Sequence, residues 1–252
     1  MNGIFPVIAP IIGGLVLSFA SWRGIFIILT VVGVVLCFGV LFGLRETHPK
    51  TTAAATTQPL LPVLRQLVHD PIFMGYTLIG GLVTGGLFGY ISGSSFMLQN
   101  IFGLSSQAFS LLYALNGLGI VVMSQLVGPL TTRYSEQHVL RGSILVALLG
   151  ALLLCGTLAL PHQLRYVILP LFLIVSMVGI AGTLGAALAM AHAPKYAGSA
   201  SAILGLVQNL IGGVLSPFVG VLGKNTYVPM ALLILVCELG ALAIYQKTFV
   251  KR

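Results

Sequence analysis

Glu238 is the only acidic residue that lies deep within an apolar run of this chain. A carboxyl group at such depth is costly unless it is paired or carries a proton. Proton handling is therefore the chemistry it points to, against a structural acid bonded to a neighbouring helix or one reaching for the membrane surface. Uncharged polar side chains are the second signal. Tyr90, Ser92, Ser94 and Ser95 crowd one end of an apolar run, with Gln99 and Asn100 just beyond; Asn116 and Gln125 sit in the next run, and Gln208 and Asn209 midway along a later one. Amides inside spans commonly bond a neighbouring helix for modest stabilisation, and a set of them facing one cavity would contact a ligand.

Enzymatic chemistry finds no constellation. His48, His69, His138, His162 and His192 fall in connectors or at the ends of apolar runs, never as a pair flanking a Glu at metal-ligand spacing. There is no Gly-x-Ser-x-Gly elbow and no phosphate-binding Gly-x-x-x-x-Gly-Lys loop. Cys37, Cys155 and Cys237 lie singly inside apolar runs, as small packing residues do. No cofactor and no metal are expected.

The elements that must position these residues follow from composition. Charged residues make up 6% of the 252 and apolar residues 58%, where a soluble domain carries roughly a quarter charged. From Pro71 to Thr132 there is no Asp, Glu, Lys or Arg, a stretch long enough for two crossings at about 20 residues each. Such unbroken apolarity excludes a barrel, whose strands alternate. Eight apolar runs are predicted as transmembrane helices: 3–20, 24–44, 71–98, 107–130, 142–160, 166–190, 198–222 and 228–245. The long connector 45–70 divides the all-α membrane chain into two plus six. Within it Leu60, Val63, Leu64, Leu67 and Val68 share one helical face opposite Arg65, Gln66 and His69, which predicts a short helix on the membrane surface. Asp70-Pro71 suits an N-cap followed by the first position of the next span.

The net charge of +8 is not a nucleic-acid footprint, because the basic residues are spread between apolar runs and form no patch. With the N-terminus in the cytoplasm, Arg45, Lys50, Arg65, Arg133, Arg141, Lys195, Lys247, Lys251 and Arg252 lie inside and only Arg23, Arg165 and Lys224 outside. That bias predicts both termini cytoplasmic. Glycine spacing predicts the packing. Gly81, Gly85, Gly89 and Gly93 form a tripled G-x-x-x-G, and Gly198, Ser201, Gly205, Gln208, Gly212 and Ser216 form a second small and polar stripe. In lipid such faces serve close helix contact, or else a sliding or cavity-lining surface.

Several segments in order carry a resemblance. Pro6-Val7-Ile8-Ala9-Pro10-Ile11-Ile12-Gly13-Gly14, followed by Trp22-Arg23-Gly24-Ile25-Phe26, resembles the antiporter motif in the fifth helix of major facilitator superfamily drug exporters, with Ala9 where Gly is usual. Arg45-Glu46-Thr47-His48-Pro49 is similar to the end of their sixth helix. Gly89-Tyr90-Ile91-Ser92, Phe96, Gly103-Leu104-Ser105 and Phe109 through Asn116 resemble helices seven and eight of the bicyclomycin/chloramphenicol (Bcr/CflA) subfamily, and Tyr196 through Ala202 the start of helix eleven. The loop Thr132–Gly142 is only a faint echo of the family's cytoplasmic gating loop. The resemblance implies a twelve-helix fold entered at helix five. Residues 1–44 are then the last two helices of the N-terminal half, 45–70 the cytoplasmic inter-half linker, and 71–252 the six-helix C-terminal half, in a cell (inner) membrane.

It further implies proton-coupled efflux of small, fairly apolar drug-like compounds by alternating access, compromised in a chain without helices one to four. The alternative is a non-transporting, truncated membrane remnant, or a protein that acts only through helix interactions. Tyr90, Phe96, Asn116, Gln208 and Asn209 are then the substrate-binding candidates. Pro10, Gly13 and Gly14 let the fifth helix bend and pack, and Glu238, on the peripheral twelfth helix, is the candidate for proton coupling. The partners implied are the lipid bilayer, a small-molecule substrate with protons, and a second copy of the chain; nucleic acid is not among them.

Overall fold

A computed structural model describes residues 12–13, 15–16, 21–43, 60–161, 163–221 and 226–250. Every regular element among them is helical: α1 (Trp22–Gly43), α2 (Leu60–His69), α3 (Pro71–Ser95), α4 (Ser106–Thr131), α5 (Glu136–Gly156), α6 (Leu164–His192), α7 (Ala197–Leu215) and α8 (Val228–Tyr245). Seven of the helical stretches are long and apolar enough to cross a membrane. Of the run predicted at 3–20, only Ile12, Gly13, Leu15 and Val16 are described, all helical; the rest lies outside the described residues.

Local chemistry sets the helix ends. The Asp70 carboxylate accepts from the backbone N–H groups of Ile72 (2.9 Å) and Phe73 (3.1 Å), with Pro71 at the first position, as its sequence signature predicts. α3 runs on through a π turn, Phe96–Ile101, and the chain reverses at Gly103, whose φ of +68° is one a side chain would resist. α5 begins six residues before its predicted start, because Glu136, His138 and Arg141 are helical although polar. Ser135 caps them, its Oγ accepting from His138 N. Apolarity marks where a helix lies in lipid, not where it begins.

The helices α3, α8, α5 and α6 form a ring in which each packs on the next. α7 lies against α3, and α4 against α6. Exchanging α3 with α6, α4 with α7 and α5 with α8 maps these extensive contacts onto themselves. The six helices are thus two three-helix repeats, and an odd repeat places the second in the opposite sense to the first, an inverted repeat. At the end where α2 meets α3, here the near end, the Tyr245 hydroxyl donates to the Gln137 carbonyl (3.0 Å) and Gln137 Nε2 to the Tyr76 hydroxyl (3.4 Å), while Phe249 stacks on Tyr76. At the far end the hydroxyls of Thr157 and Tyr227 are 3.0 Å apart.

The glycine stripe of α3 is buried as a packing face. A Cβ at Gly81 or Gly85 would meet Ile211 of α7 at 2.7 and 3.0 Å, and at Gly89 or Gly93 it would meet Leu233 and Met230 of α8 at 2.7 and 2.5 Å. These neighbours are side chains. Backbone-to-backbone approach occurs elsewhere, at glycines outside both predicted stripes. A Cβ at Gly179 of α6 would strike the Ile120 carbonyl oxygen of α4, and one at Gly150 of α5 would lie 3.1 Å from the Pro170 carbonyl oxygen of α6.

Two peripheral elements differ from the sequence reading. α2 does not simply lie on the membrane surface: Val63 and Leu67 are buried against α3 and α7, while Leu61 and Val68 remain exposed. The α7 stripe divides in two. Gln208 and Gly212 face α3, at Gly80 and Phe88, whereas Gly198 and Gly205 open onto empty space. Spacings of three and four keep these residues on one helical face, so the two parts of the stripe differ in their position along α7 and not in direction. α1 buries no residue at all.

Candidate functional site

Tyr90 and Asn116, 26 residues apart, meet. Asn116 Nδ2 donates to the Tyr90 hydroxyl at 2.8 Å, and both side chains are buried. Tyr113, one turn before Asn116, stacks on Tyr90 at 5.8 Å between centroids, and Phe109 follows Tyr113 at 5.7 Å. Close packing of α4 on α6 helps to place Asn116, since Gly119 of α4 sits directly on Ser176 of α6. The pair lines a cleft of about 270 Å³ between α3, α4 and α6, walled by Leu87, Ile91, Ile120, Val175 and Val178. An apolar wall with one amide–phenol pair suits a flat, mostly apolar ligand with a single polar group.

Two buried hydroxyls near these elements have no hydrogen-bond partner: Ser94, one turn along α3 from Tyr90, and Ser176, beside the lining residue Val175. An unsatisfied buried polar atom costs free energy unless something bonds it; neither residue is among those that line the cleft, and Ser176 Oγ lies against Gly119. The sequence singled out Ser94 but not Ser176 or Tyr113. For Tyr113 the signal was there: an aromatic one turn from an intramembrane amide.

The other candidates are placed apart. Phe96, in the π turn, lines a separate far-end cavity of about 390 Å³ between α3, the end of α7 and the start of α8, together with Met97, Pro217 and Tyr227. The hydroxyls of Ser92 and Ser216 meet at its wall. Gln208 Nε2 lies against Gly80, 3.0 Å from where a Cβ would stand. Asn209 is on the exposed face of α7 and donates to its own Gly205 carbonyl at 2.8 Å. Pro10 and Gly14 lie outside the described residues, and Gly13 is helical with open space beside it. Glu238 is buried in the middle of α8 against Gly86 of α3, one helical turn from Tyr90.

Against known families, residues 1–217 match the family model of the Major Facilitator Superfamily. The chain belongs to this superfamily. Major facilitator relatives similar to it include Uncharacterized MFS-type transporter YdgK of Bacillus subtilis, 33% identical over 98% of this chain and 62% of that protein. The Bicyclomycin resistance protein homolog of Haemophilus influenzae is 24% identical over 89% of the chain and 57% of its own length. Multidrug resistance protein D of Escherichia coli is 29% identical over 84% and 53%. The chain therefore spans between half and two thirds of the length of these relatives. Membership places it among multi-pass membrane transport proteins, not enzymes, and the α3–α8 unit has the inverted repeat that such folds use.

Proposed function

We propose that this chain is the substrate-handling C-terminal half, with two helices of the preceding half, of a proton-coupled exporter of small, fairly apolar drug-like compounds. Its subfamily is the bicyclomycin/chloramphenicol one. The observation that carries the reading is the buried Tyr90–Asn116 pair in an apolar cleft between α3, α4 and α6. The names of the Haemophilus and Escherichia relatives, with their bicyclomycin and multidrug resistance, support it. Alternating access requires two halves that close on one site from opposite sides, and the exposed apolar faces of α4 and α7 are where a second half would close. The chain sits in the cell (inner) membrane with its near end in the cytoplasm.

Joined to the first four helices of the Bacillus relative and reconstituted in proteoliposomes, the chain accumulates a fluorescent amphipathic drug when a pH gradient is imposed and loses it when an ionophore collapses the gradient. The 252 residues alone bind the drug saturably but do not accumulate it. No gradient-driven movement by the joined protein and no binding by the chain would overturn the reading. Accumulation by the 252 residues alone would overturn the two-half requirement.

Orientation has its own test. With Cys37, Cys155 and Cys237 replaced by Ser, a reagent confined to the outside labels Gln163→Cys and spares His138→Cys, both positions being exposed at opposite ends of the bundle. The opposite labelling pattern reverses the proposed topology.

A further inference from the structure

Glu238 is 1% exposed, and its Oε2 has no hydrogen-bond partner. It occupies the middle of α8, seven residues from Tyr245, about 10 Å along the axis. Polar side chains tie both ends of α8 to α5 and the turn after it: Tyr227, just before α8, meets Thr157 at the far end, and Tyr245 meets the Gln137 carbonyl at the near end. Toward α3 the middle of α8 presents Cys237 and Glu238, and α3 answers with glycine. A Cβ at Gly86 would stand 3.7 Å from both Glu238 Oε1 and Cys237 Cβ, and one at Gly85 would stand 3.5 Å from Cys237 Sγ. Thus α8 is fastened to α5 at both ends, while its one acidic group faces the smooth side of a different helix.

The titratable groups on the surrounding elements are committed elsewhere. On α3, the Tyr76 hydroxyl bonds Gln137 and the Tyr90 hydroxyl bonds Asn116. On α5, Glu136, His138 and Arg141 all fall in the first two turns at the near end, and Cys155 near the far one. The turn Ser216–Gly220, which also packs on α8, carries none.

We propose that Glu238 is a proton-binding site that governs the α3–α8 contact and acts on the Tyr90–Asn116 cleft through α3 without touching the ligand. With its proton the carboxyl is accommodated against Gly86 and the two helices stay closed. Without it, an unpaired carboxylate must be hydrated. Since α8 is tied to α5, water enters on the α3 side and α3 shifts. Tyr90 is one turn along α3 from Gly86, so the same shift reshapes the cleft. Proton and ligand then favour different arrangements of one helix, and by linkage each expels the other. This deepens the proposed export function and rests on it.

The test begins with infrared spectroscopy on the whole chain. The variant Glu46→Gln, Asp70→Asn, Glu136→Gln leaves Glu238 as the only carboxyl side chain. Its protonated-carboxyl C=O band should fade as pH rises, and Glu238→Gln in the same background should abolish that change. Drug affinity measured in parallel should rise at least tenfold through the same pH interval, and in Glu238→Gln it should stay at the low-pH value. A band that never titrates makes Glu238 a structural acid and overturns the proposal. So does a pH dependence of affinity that survives Glu238→Gln. If no drug binds at any pH, the export reading fails, while the infrared titration still decides whether the carboxyl exchanges protons. Should Glu238→Gln fail to fold, coincidence of the infrared and affinity midpoints in the three-residue variant decides; separate midpoints overturn the proposal.

Discussion

Gly179→Ala collapses the α4–α6 contact, lowering stability by at least about 3 kcal/mol, the upper end of ordinary overpacking costs. The added methyl would occupy the space of the Ile120 carbonyl oxygen and stand 2.9 Å from Ser124 N, both backbone atoms of α4. A crowded side chain can rotate away; a helix backbone cannot, so the helices must part along a contact that is among the most extensive of the bundle. Three residues on, Gly182 has nothing within 4 Å. Gly182→Ala should fall within about 0.5 kcal/mol of the parent, as surface substitutions do. Gly119→Ala, which meets the movable Ser176 hydroxyl, should be intermediate. Thermal unfolding of the detergent-solubilised chain, followed by the monodisperse fraction on size exclusion, orders the three. Equal midpoints for Gly179→Ala and Gly182→Ala would show that the close crossing does not exist.

At the cleft, Tyr90→Phe and Asn116→Leu each strand a buried polar partner, at a cost of about 1–3 kcal/mol, and each weakens drug binding by tenfold or more, about 1.4 kcal/mol. The double variant separates the two effects. With both polar groups gone neither partner of the pair is stranded, so its unfolding midpoint recovers toward the parent by a coupling that a double-mutant cycle reads directly. Binding does not recover, because the amide and the phenol that would address the ligand are both absent. Fluorescence polarisation of a labelled drug supplies the second reading. Parental affinity in the double variant would remove the cleft from the list of binding sites.

What could be read without coordinates follows the physics of each feature. The bounds of α8 were legible because Tyr227-Val228-Pro229 and the polar Gln246 bracket an uninterrupted apolar run. The start of α5 was not, because its first turns are polar and lie beyond the apolar stretch. Repeated glycines made α3 legible as a packing helix, yet the crossings closest to a neighbour's backbone use isolated glycines at 150 and 179, whose meaning depends on which backbone faces them. The site shows the same division. Tyr90 and Asn116 stand out as polar groups in apolar runs, but that they bond each other depends on how α3 and α4 are rotated. Gln208 and Asn209, adjacent in sequence, turn 100° apart, one to α3 and one to the outside. Phe96 is carried to another cavity by a π turn that no local pattern announces.

The docking of α2 has a consequence for assembly. By fastening Val63 and Leu67 to α3 and α7, the bundle shortens the tether to α1 from the whole of 45–70 to the sixteen positions 44–59, a reach of at most about 60 Å even fully drawn out. α1, with no buried side chain, is thus held within that reach of its own bundle.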